Sequence, residues 1–103
     1  MTGSAQRDGI RAEAVPRIPE EIVWVEVDGE TVVYDERRKQ VHLLNPTASL
    51  VWSAIDGRAS LDQIAGELSG AFGAEPAVVR SDVQELVREL TELGLLALST
   101  RRR

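Results

Sequence analysis

The stretch VHLLNPTASLVWSAIDG, Val41 to Gly57, changes hydrophobic period part-way along, and that change decides the fold. Up to Leu44 it is the end of a β-prone run, QVHLL (Gln40–Leu44). Beyond Asn45, Ala48, Val51, Trp52 and Ile55 fall at i, i+3, i+4 and i+7, one face of a helix. Asn45 suits an N-cap and Pro46 a first helical position, because neither needs an intrahelical partner for its N–H. Asp56-Gly57 is the expected stop. The segment is the most patterned in the chain, yet it holds no nucleophile beside a base, no metal cluster and no phosphate loop.

Working back from it, EIVWVEV (Glu21–Val27) and TVVYD (Thr31–Asp35) are β-branched runs separated by Asp28-Gly29-Glu30, and Asp-Gly is a strong hairpin signal. In the first run Val23, Val25 and Val27 share one face, and Ile22, Trp24 and Glu26 the other. A charged tip, ERRK (Glu36–Lys39), leads into Gln40–Leu44. Three short strands with tight connections predict an antiparallel meander whose third strand is an edge. Working forward, SLDQ (Ser60–Gln63) has the form of a capping box, followed by the stripe Leu61, Ile64, Ala65, Leu68, Ala71 and Phe72 up to Gly73. Pro76 opens a third helix in which Val79, Val83, Leu86, Leu90 and Leu93 recur by fours and threes. Gly94 suits the position just past its end, with Leu95 as the accompanying apolar contact.

The layout is an α+β domain: a three-stranded antiparallel sheet followed by three helices, winged helix-turn-helix-like, with one core shared by all. The domain is expected over residues 20–98, with LLAL (Leu95–Leu98) packing back on the body. Residues 1–19 lack apolar period and read as a flexible tail, and residues 99–103 as a basic C-terminal tail.

Composition narrows the function. No apolar run approaches the roughly 18 residues a membrane span needs, and the N-terminus has no signal-peptide apolar region. The chain has no cysteine, so disulfides and thiolate chemistry are out, and a cytoplasmic setting is expected. Net charge is −5, but residues 19–98 carry fifteen acidic against six basic groups, a balance of −9. Such a body repels phosphate backbones. The third helix sets Arg80, Gln84 and Arg88 against Asp82, Glu85, Glu89 and Glu92, the wrong balance for reading base edges. His42, the single histidine, sits between apolar neighbours in a strand with no ligand cluster nearby, and the acidic pairs Glu20-Glu21 and Asp35-Glu36 read as solvated strand ends. No enzyme, metal or cofactor chemistry is expected. Strand addition remains: an extended peptide can pair with an open sheet edge, taking affinity from backbone hydrogen bonds and specificity from side-chain pockets. A winged-helix nucleic-acid binder and a small oligomerisation module pairing through the same edge are the alternatives.

LNPTASLVWSAIDG is similar to the signature of PqqD-like proteins, Leu-Asn-x-Thr-Ala-x-x-apolar-Trp-x-x-apolar-Asp-Gly. The likeness continues through SLDQIAGELSGAFG, with its Ile64-Ala65 pair, and DVQELVRELTELGLL, with Asp82-Val83, Leu86-Val87 and Gly94-Leu95. The resemblance spans about Val41 to Leu96. It implies a RiPP recognition element: a winged-helix-like domain, here free-standing, that binds the leader of a ribosomally made precursor peptide. The leader adds antiparallel to the third strand against the third helix. The domain then delivers it to a leader peptidase, as in lasso-peptide systems, or to a radical SAM modifying enzyme of the pyrroloquinoline quinone or mycofactocin kind. Carried onto this chain, backbone pairing falls on Val41, His42, Leu43 and Leu44, and the helix wall on Val79, Asp82, Val83 and Leu86. Val79, Val83, Leu86 and Leu90 are expected to point inward, with Arg80 and Val87 on the flank opposite Asp82. Asn45, Thr47, Trp52, Asp56 and Gly57 match the signature but read as cap, packing and turn.

Overall fold

A computed structural model of the protein describes residues 13–100. Its order is β1 (Ala14–Arg17), β2 (Ile22–Val27), β3 (Glu30–Asp35), β4 (Gln40–Leu44), α1 (Pro46–Ser53), α2 (Leu61–Phe72), α3 (Pro76–Glu92) and β5 (Ala97–Thr100). β2, β3 and β4 form the expected antiparallel meander, in that spatial order. Asp28 and Gly29 both take positive φ, 53° and 82°, the type I′ turn whose twist matches that of its strands. Register places Trp24 beside Val33 and Val33 beside His42, so these three side chains lie on the helix-covered face. The opposite face is a carpet of apolar side chains open to solvent: Val23, Val25, Val27, Val41 and Leu43 are all exposed.

The helices end where local chemistry dictates. Asn45 Oδ1 accepts the Ala48 N–H at 2.8 Å, and Pro46 opens α1. That helix closes at Ser53, ahead of Asp56-Gly57; Asp56 instead shapes the following loop, accepting from the Arg58 and Ala59 N–H groups. Both halves of the Ser60–Gln63 capping box are made. At the end of α3 the Leu95 N–H reaches the Leu90 carbonyl and the Gly94 N–H that of Thr91, a Schellman motif closed by buried Leu90 and Leu95. Gly94 takes φ +85°, a left-handed setting that favours glycine, and the Arg38 guanidinium lies against it and would have to shift to admit a Cβ.

Ala48, Val51 and Trp52 from α1, Leu61, Ile64 and Ala65 from α2, and Val83, Val87 and Leu90 from α3 meet Ile22, Val33 and Leu44 of the sheet in one core. Trp52 is buried at its centre, with Trp24 packed edge-on to it at 5.7 Å between ring centroids. Where β3 and β4 diverge, Ser49 bridges them: its hydroxyl donates to the Leu44 carbonyl and accepts the Thr31 N–H.

Three expectations need correction. The ordered body begins before residue 20, because Ala14–Arg17 is a strand, paired antiparallel with Ala97–Thr100 and lying against α2. Ala14, Val15 and Pro16 are buried, and the two segments form a two-stranded ribbon; the remainder of both expected tails lies outside the described residues. Asp35 is no solvated strand end. It is 2% exposed and accepts hydrogen bonds from the Arg37 and Arg38 backbone N–H groups and the Arg38 guanidinium. Burial alone would raise its pKa, but the two N–H groups and the Arg38 charge together hold it below the usual carboxylate range. Finally, α3 is rotated from the expected setting. Val87 lies in the core centre with Val83 and Leu90, while Val79 and Leu86 are half-buried at its margin and Leu93 is exposed.

Candidate functional site

The open edge of β4 follows from the hairpin upstream. In a two-residue hairpin the residues flanking the turn exchange both backbone hydrogen bonds, and such pairs then alternate along the ladder. Counting from Val27–Glu30, the N–H and C=O of Val33 point away from β2 and bond His42 on β4. The backbone groups of Val41 and Leu43 therefore point off the free edge of the sheet. The four residues expected to bind alike thus divide. Val41 and Leu43 offer the outward backbone groups and expose their side chains on the far face, at 65% and 67%. His42 and Leu44 are tied inward: Leu44 is buried, and His42 is half-buried with its Nε2 enclosed and unpartnered.

Residues on either side of β4 set its direction relative to α3. The turn before β4 carries Arg38, whose guanidinium donates to the Leu93 carbonyl at the end of α3 at 2.9 Å, while its other partner is Asp35. Three residues beyond β4, Thr47 shares a cavity with Val79 and Asp82 in the first half of α3. β4 accordingly runs from the C-terminal end of α3 towards its N-terminal half. A peptide paired antiparallel to β4 would run in the same direction as α3.

The cavity, about 260 Å³, opens where β4 passes into α1. Val79, Asp82, Val83 and Leu86, the four helix residues expected from sequence, all line it. Thr47, Leu50 and Val51 of α1, Leu68 and Phe72 at the end of α2, Ala74 after it and Val78 of α3 complete its wall, and Asp82 is the one charged group in it. On the opposite flank of α3, Arg80 is engaged with Asp62 of α2 at 3.0 Å and takes no part. Seven wall residues were not expected from sequence, and three of them are large apolar side chains open to solvent. Leu50, Phe72 and Val78 are 43%, 57% and 56% exposed, and each has an apolar side chain that its own helix does not bury. The available signals were Val78 widening the stripe of α3 beside Val79, and Phe72 closing α2 next to a glycine. Among the described residues no group of three or more His, Cys, Asp or Glu could hold a metal, and no helix is long and apolar enough to cross a membrane.

Comparison with known proteins identifies the family and the fold. The family model described as coenzyme PQQ synthesis protein D (PqqD) matches residues 30–96. The PqqA binding protein of Xanthomonas oryzae pv. oryzae (strain PXO99A) is 38% identical over 78 residues, 68% of this chain and 85% of that protein. Among solved structures, lasso peptide synthetase B1 complexed with the leader peptide superimposes with a TM-score of 0.71 at 27% identity, over 80% of this chain and 96% of that one. TbiB1 in complex with the TbiA(beta) leader peptide gives 0.72 at 20% identity, a likeness of fold, over 78% and 93%. The PqqD truncation of Methylobacterium extorquens PqqCD, a stand-alone RiPP recognition element, gives 0.66 at 25% identity, over 81% and 88%.

Proposed function

The chain belongs to the PqqD family, and from that premise we propose that it binds the leader segment of a ribosomally synthesised precursor peptide and delivers it to a modifying enzyme or leader peptidase. The observation that carries this reading is the open β4 edge, with the outward N–H and C=O groups of Val41 and Leu43, beside an apolar cavity walled by α3. A leader strand added antiparallel there makes up to four backbone hydrogen bonds and turns alternate side chains towards the cavity. The chain contributes binding and orientation in the cytoplasm rather than catalysis, and the chemistry belongs to its partner. A PqqA-binding relative and a lasso synthetase subunit seen with its leader both support the class of ligand. A lasso-peptide system with a leader peptidase is the first reading, and a radical SAM enzyme of the pyrroloquinoline quinone kind the second.

Calorimetric titration of the full chain with the leader of the precursor encoded beside it tests the proposal. Saturable 1:1 binding is expected, with amide chemical-shift changes centred on Val41, Leu43 and the first half of α3. No heat and no shift changes at tens of micromolar would overturn it.

A further inference from the structure

We propose that Asp82 and Glu89 make this groove selective for charge: the peptide it takes carries a bulky apolar residue for the cavity, followed two or four positions later by Lys or Arg on the same face. The inference rests on the strand-addition reading and adds a rule for the ligand's sequence. Asp82 is the one charged side chain in an otherwise apolar wall. Glu89 lies seven residues on, which on a helix is within about 20° of the same flank and about 10 Å further along the axis. Among the described residues neither carboxylate forms an ion pair, whereas Arg80 on the far flank is already engaged with Asp62. The flank facing the groove therefore carries negative charge that no ion pair among the described residues neutralises.

Direction and spacing turn this charge into a sequence rule. A peptide antiparallel to β4 runs along α3 from the cavity towards Leu93, because Arg38 and Thr47 fix the two ends of that path. Side chains on one face of a strand recur every two residues, about 6.7 Å apart. With the apolar residue in the cavity beside Asp82, the next two side chains on that face fall about 7 and 13 Å onward and straddle Glu89. A Lys or Arg at either place reaches that carboxylate, and its flexible stem covers Leu86 or Leu93, which the protein leaves partly exposed. An acidic side chain at those places would meet like charge.

The test is selection of a random displayed twelve-residue peptide library on the full wild-type chain and on the Asp82→Lys/Glu89→Lys double variant. Both sites are exposed, so the variant should melt as wild type does. Wild type is expected to enrich an apolar residue followed by Lys or Arg, and the variant to enrich Asp or Glu there. A selected peptide with its basic residue changed to Glu should bind wild type about three- to tenfold more weakly, and the variant should recover that loss. Should the variant misfold, the salt dependence of the wild-type complex replaces it: affinity falls as ionic strength rises if the charges matter. No enrichment, enrichment without a basic preference, or binding that survives Leu43→Pro would each overturn the inference. Failure of the precursor's own leader to bind would instead overturn the proposed function, because the library makes no use of that leader.

Discussion

The sheet has two edges, β2 and β4, and both are open to solvent, yet they differ on the side that faces the helices. At β2 the hairpin geometry turns the backbone groups of Trp24 and Glu26 outward, but that side is filled: the Trp24 ring leans on Trp52, and Glu26 stands beside it in sequence on the same face. Past the end of β4, where the chain enters α1, the corresponding space is a cavity walled by α1, α2 and α3. An incoming strand finds hydrogen-bond partners at either edge, but only at β4 does it find somewhere to put its side chains. Backbone pairing alone is sequence-blind, so the cavity, rather than the edge, is what can make binding specific.

The largest expected effect concerns what the two sides share. Trp52→Ala removes the buried ring on which Trp24 leans and which anchors α1 in the core, and should cost about 3–5 kcal/mol in chemical denaturation. A loss under 1 kcal/mol would mean that the core does not depend on that ring. Next comes the contrast itself. Leu43→Pro deletes an outward N–H without breaking a bond inside the sheet, since proline is tolerated on edge strands. It should weaken leader binding about tenfold or more by calorimetry while leaving the fold intact, whereas Glu26→Pro on β2 should leave binding unchanged. Equal losses at the two edges would dissolve the asymmetry.

Acid should act on the anchor of the β4 turn. The folded state depresses the Asp35 pKa, so its stabilisation is present above the ordinary aspartate range and fades as pH falls through that range towards the folded value. Asp56, held low by the Ala59 and Arg58 N–H groups, acts with the same sign. Thermal melts between pH 7 and pH 3 should decline, and Asp35→Asn should flatten that decline while lowering stability at pH 7; an unchanged slope would remove Asp35 from the account. The smallest effect is Leu43→Glu. Its side chain points to the far face and its backbone is untouched, so leader binding should fall about two- to fivefold, clearly less than with proline.

Much of the fold was legible because the signals were local. Asn45-Pro46, Ser60 with Gln63, and Asp28-Gly29 each settle a boundary through groups a few residues apart. The β1–β5 ribbon was not, since Ala14 and Thr100 meet across almost the whole chain and each strand is only four residues long. The rotation of α3 was half legible. Val83 and Leu90 fit a stripe completed either by Val79 and Leu86 or by Val87, and packing against the other elements puts Val87 in the core. That choice is also what leaves Val79 and Leu86 at the margin, lining the cavity. The proposed binding edge was legible as a strand but not as alternating residues, because the sense of alternation is set by the hairpin turn one strand earlier.

The edge-to-face pair of Trp24 and Trp52 has an optical consequence. They are the two tryptophans of the chain, 5.7 Å apart, one half-open to solvent and the other enclosed. Indole transitions at that range couple, so the folded protein should show an exciton couplet in circular dichroism that vanishes when β2 leaves α1. A soluble quencher should reach one ring and spare the other. Because the pair sits on the β2 side, a bound leader should leave the couplet unaltered, which gives an unlabelled reading of the scaffold independent of occupancy.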